Sequence, residues 1–129
     1  MPDPNQYRQI YVDAFSAVAS ANKNAGAGKQ IDAIRLTMLS TGIYAGTDPL
    51  AIAREAAGLI LDAVEAAAQL TDAASLPLTM LINNTTNGNY PNKEKDAFTQ
   101  AARARNITVT ASGFTLDVKT AASAGAANV

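Results

Sequence analysis

The sequence predicts an α+β fold in which three N-terminal helices are followed by a small β-α-β-β unit with a C-terminal hairpin. Two Asp-Pro pairs, at Asp3-Pro4 and Asp48-Pro49, read as N-cap and first-turn signals. Ile107–Val118 alternates apolar and polar residues with the period of a strand.

The first helix is expected over about 4–23. Tyr7, Ile10, Tyr11, Ala14, Phe15 and Val18 recur at three- and four-residue intervals and trace one apolar stripe. Because two of its aromatics are tyrosines, that stripe suits a partly wet contact face. Asn22–Lys29 is small and polar and reads as a flexible loop. Ile31, Ile34, Leu36, Met38, Leu39 and Ile43 are spread too evenly for a narrow stripe, which predicts a short second helix over about 30–42, ended by Gly42 and Gly46. The third helix, about 49–71, carries Ile52, Ala56, Leu59, Ile60, Ala63, Ala67 and Leu70 on one stripe. Its many alanines allow another helix to approach closely at little cost in side-chain entropy.

Leu76–Ile82 is a short apolar run before a cluster of turn formers, so a buried strand is expected at about 77–82, with Pro77 at its start. Asn83–Asn92 then forms a long surface loop. Asn92 is placed to cap a helix over about 93–105, with Phe98, Ala101 and Ala102 inward. A two-residue turn at Ser112-Gly113 sets Ala111 against Phe114, Val109 against Leu116 and Ile107 against Val118. The strands at 77–82 and 107–111, joined by a helix, form a β-α-β unit with parallel strands in one sheet. Residues 1–119 are expected to make one domain, and 120–129, with no large apolar residue before Val129, a disordered tail.

Composition narrows function. The chain has 129 residues, 10 Lys+Arg, 11 Asp+Glu, and neither His nor Cys. Cys/His zinc sites, haem ligation, disulfides and Ser-His-Asp triads are therefore excluded. The expectation is a protein without catalytic, cofactor-binding or metal-binding residues. Alanine supplies 28 of the 62 hydrophobic residues, so the core is thin. The N-terminus lacks a basic and apolar leader and no stretch reaches the length of a membrane span, which predicts no signal peptide, no membrane partner, and a virion or cytoplasmic location.

Several motifs read more simply than they look. Gly26-Ala-Gly28-Lys29 resembles a phosphate loop but has Lys23 where that motif needs glycine and Gln30 where it needs Ser or Thr. Ala53–Leu59 resembles the start of a helix-turn-helix, yet Ile60–Gln69 has two acids and no base, unsuited to reading DNA. Asp62 and Glu65 lie one turn apart, as solubilising pairs on helix surfaces commonly do. Residues 1–72 carry 5 basic and 8 acidic groups and residues 73–129 carry 5 and 3, so a head-to-tail contact between copies would be modestly complementary.

A short chain rich in Ala, Asn and Thr and lacking Cys, His and Trp is similar in overall style to small virion proteins of tailed bacteriophages, such as head decoration or head–tail connector components. The resemblance implies a non-enzymatic structural protein that self-associates or docks onto a capsid or connector, and it carries no site residues over. The alternative is a small regulatory or nucleic-acid-associated domain presenting Lys93, Lys95, Arg103, Arg105 and Lys119, although the net charge of −1 disfavours nucleic acid. The candidate interface residues are Tyr7, Tyr11 and Tyr44, then Asn87, Asn89 and Tyr90 on the loop, and Thr120 and Val129 in the tail.

Overall fold

A computed structural model describes residues 3–26, 28–38, 48–71, 78–103, 105 and 107–120. The elements are α1 (Pro4–Asn24), β1 (Ala33–Leu36), α2 (Pro49–Leu70), β2 (Thr79–Asn83), α3 (Lys93–Ala102), β3 (Thr108–Ser112) and β4 (Thr115–Lys119).

Both Asp-Pro starts form as expected. The Asp3 carboxylate accepts from the Asn5 and Gln6 N–H groups at 2.8 and 3.3 Å, and Asp48 accepts from Ala51 N–H at 3.1 Å. On α1 the buried stripe is Tyr7, Tyr11, Val12, Phe15 and Ala19. Ile10 is 51% exposed and Ala14 exposed, so the inward face is rotated from the expected one. The Asn22–Lys29 segment is tied back. Asn22 donates from Nδ2 to the Ile31 carbonyl (2.8 Å), accepts from the Ile31 N–H (2.6 Å), and its own carbonyl accepts from Gln30 Nε2 (2.7 Å).

The expected helix at 30–42 is corrected to a strand, β1, and with it the order of elements; positions 39–42 lie outside the described residues. The order is α-β-α-β-α-β-β, so a strand separates the first two helices and the layers interleave along the chain. A short apolar run fits either a strand or a buried helix by periodicity alone. Here partnership decides: Ala33–Leu36 pairs in parallel with Thr79–Ile82 of β2. Ile34 and Leu36 fall opposite Met80 and Ile82, on one face.

The sheet runs β1-β2-β4-β3. β4 lies antiparallel between β2 and β3, so those two strands are parallel but not neighbours. The hairpin also turns one residue later than expected. Ser112 pairs with Thr115, Ala111 with Leu116 and Val109 with Val118, leaving Gly113-Phe114 as the two-residue turn. Gly113 has φ +60° while Phe114 has no positive φ, the signature of a type II′ turn with glycine first. The shift moves each partner by two positions, so the apolar residues keep their common face, but Phe114 leaves it and is 72% exposed.

That common face carries Met80, Ile82, Leu116 and Val118, all buried. Each such side chain stabilises the fold by about 1.5–3 kcal/mol. The helix layer covers it, with α2 between α1 and α3 and α3 touching β3 and β4. Ala53, Ala56, Ala57, Ala63, Ala67 and Ala68 of α2 are buried, which lets α2 pack against both flanking helices at once. The opposite sheet face has no helix among the described residues. Arg35, Leu81, Asp117 and Thr110 form one row across it.

Candidate functional site

β2 and its parallel neighbour β1 both lead toward helix starts, and a polar cluster occupies the carboxyl end of β2. Asn84 follows directly on the strand. Its backbone N–H donates to the Phe114 carbonyl (2.7 Å), and its Nδ2 donates to Asn92 Oδ1 (2.9 Å) and, more weakly, to the Gly113 carbonyl (3.4 Å). Its Oδ1 accepts from the Lys95 N–H at 3.2 Å. Asn84 therefore caps α3. Asn92 stands at the N-cap position in a left-handed conformation, φ 62°, and its side chain makes no cap bond, contrary to the role expected for it.

Glu94 completes the cluster. It is buried, its Oε1 accepts from the Thr85 N–H at 2.6 Å, and its other oxygen lies 3.7 Å from Lys93 Nζ. The Thr85 carbonyl in turn accepts from the Asn92 N–H at 2.5 Å. These bonds close the neck of the loop between β2 and α3, and its tip, Thr86–Pro91, stands exposed. Asn87, Asn89 and Tyr90 are on that tip, and Phe114, on the turn that Asn84 bonds at the neck, is exposed as well. Neither Asn84 nor Glu94 stood out in the sequence, because a cap supplied from eleven residues upstream leaves no local spacing to find.

The two tyrosines of α1 are elsewhere. Tyr7 is 0% exposed and Tyr11 is buried, so as single-chain surfaces they are withdrawn, and the contact role expected of them has no exposed ring to act through. Their rings lie 5.2 Å apart. The Tyr11 O–H donates to the Thr37 carbonyl at 2.6 Å, tying α1 to the end of β1, and its oxygen faces the Tyr7 hydroxyl at 3.4 Å. Burial, then the neighbouring Tyr11, pushes the Tyr7 phenol well above its ordinary value.

Thr120 also belongs to the fold: its N–H donates to the Leu78 carbonyl (2.9 Å) and its Oγ1 accepts from the Leu78 N–H (3.0 Å). Tyr44, Val129 and the tail 121–129 lie outside the described residues. Asp62 is engaged by Arg105 at 2.5 Å, and Glu65, one turn on, is exposed. Among the described residues no three His, Cys, Asp or Glu gather as a metal site, and no helix is long and apolar enough to cross a membrane. No family model, curated protein or solved structure matches this chain.

Proposed function

We propose that this protein works without catalysis, by association, as a structural component that joins copies of itself or docks onto a larger assembly such as a phage capsid or connector. The observation that carries the reading is the one-sided sheet. Among the described residues, helices cover the face of Met80 and Ile82, while no helix lies on the face of Arg35, Leu81, Asp117 and Thr110, where Leu81 and Asp117 are half-buried, and each outer strand has a strand partner on one side only. An open sheet edge is a template for pairing. The solution mass of the purified chain over about a hundredfold range of concentration tests it. Growth above 13.3 kDa supports association, and a monomer at every concentration sinks the self-associating form.

A second reading rests on the parallel β1–β2 pair. In open sheets with parallel strands, ligands gather beyond the carboxyl ends of the strands. Asn87, Asn89, Tyr90 and Phe114 are exposed on the loop and turn that follow from that end, offering amide groups and rings to a small planar or polar ligand. Calorimetry with a panel of nucleotides and sugar phosphates, run against Phe114→Ala, tests it: saturable heat that the variant loses supports a site, and flat titrations remove it. The nucleic-acid alternative is not favoured, because Lys93 sits beside Glu94 and Arg105 beside Asp62, which neutralises two of the five basic groups.

A further inference from the structure

We infer that β3 pairs with β3 of a second copy of this chain, antiparallel about a two-fold axis at Thr110, so that two four-stranded sheets join into one. The inference rests on the association reading and names its surface.

The two edges of the sheet differ. β1 is four residues long and carries the exposed Arg35, and short, charged edges resist pairing. β3, Thr108-Val-Thr-Ala-Ser112, has no charge and no proline, and its register against β4 runs without a bulge. A two-fold axis sets each residue against its own copy or a mirror position, so a charged strand would repel itself where a neutral one does not.

The register also shows which backbone groups are available. The two-residue turn makes Ser112 and Thr115 a hydrogen-bonded pair, and the alternation continues through Thr110–Asp117 and Thr108–Lys119. The other side of β4 agrees, since Asn84 N–H donates to the Phe114 carbonyl and Thr120 N–H to the Leu78 carbonyl, which assigns the even positions of β4 to β2. Val109 and Ala111 therefore turn their N–H and C=O groups to the open edge. With Thr110 on the axis, Val109 faces the partner's Ala111 and each such pair exchanges both bonds, while the whole of β3 overlaps. Thr110 then faces its own copy across a close, non-hydrogen-bonded pair, with Cα atoms about 4.5 Å apart and hydroxyls in reach of each other. Val109 and Ala111 extend the apolar face that the helices cover.

Light scattering of the full chain and of Thr110→Lys, with oxidative cross-linking of Thr110→Cys, tests the pairing. The native chain has no cysteine, so any disulfide reports this position alone. Close Cα atoms permit a disulfide. The expected result is a dimer for the native chain, a Kd raised about tenfold or more by Thr110→Lys with the melting transition unchanged at concentrations where both chains are monomeric, and a covalent dimer from Thr110→Cys. Native association that survives Thr110→Lys, or cross-linking from Arg35→Cys and not from Thr110→Cys, overturns this pairing and leaves association standing. A native chain that stays monomeric throughout overturns both.

Discussion

The Asn84 side chain caps a helix that begins nine positions later, accepting the Lys95 N–H at 3.2 Å while its own backbone holds the Phe114 carbonyl at 2.7 Å. One residue thus joins the end of β2, the start of α3 and the β3–β4 turn. Replacing it with alanine leaves a helix-start N–H and two carbonyl acceptors without this partner, and the expected cost is about 2 kcal/mol. Asn92→Gly keeps the left-handed conformation and is expected to cost less. Thermal unfolding of both variants checks the order, and a larger loss from Asn92→Gly would return the cap to Asn92.

Glu94 is expected to matter as a hydrogen-bond acceptor. Glu94→Ala strands the Thr85 N–H, at an expected cost of about 1–3 kcal/mol, whereas Glu94→Gln retains an acceptor oxygen and loses less. Denaturant midpoints separate the two, and faster amide exchange at Thr85 in Glu94→Ala locates the damage.

Tyr7 sets an alkaline limit on stability. Its phenol is raised above the ordinary 10.0 by burial, so the unfolded chain releases this proton first. Stability is intact below 10.0 and falls as pH rises above it, because the folded state holds a proton that the unfolded state has lost. Urea midpoints from about pH 9 to about pH 11 should fall, and Tyr7→Phe should flatten that fall. An equal fall in the variant would assign the limit to another group.

Gly113 holds φ +60° at the first position of the hairpin turn, with open space where a Cβ would stand. The penalty of Gly113→Ala is therefore conformational and not steric, about 1 kcal/mol, and shows as a lower melting temperature with the hairpin still formed.

The Arg105–Asp62 pair joins the end of α3 to α2 at 2.5 Å, yet both side chains are partly exposed. Solvent screening limits it, and a double-mutant cycle with Arg105→Ala and Asp62→Ala is expected to give a coupling of about 0.2–1 kcal/mol. A coupling of several kcal/mol would show a far less screened contact.

What the sequence by itself determined was local. Asp3 and Asp48 cap helices through N–H groups two or three residues away, and the 107–118 alternation shows period two within a single hairpin, so each signal is complete inside a short window. Tertiary structure decided the rest. Ala33–Leu36 is a strand because Thr79–Ile82, more than forty residues on, supplies its hydrogen bonds. Tyr7 and Tyr11 are core because α2 and the end of β1 close over them, although their spacing alone fits a wet surface equally well. Asn84, and not the adjacent Asn92, caps α3 because the sheet brings the end of β2 to the helix start. Pairing and burial depend on neighbours distant along the chain, and no window of local periodicity contains them.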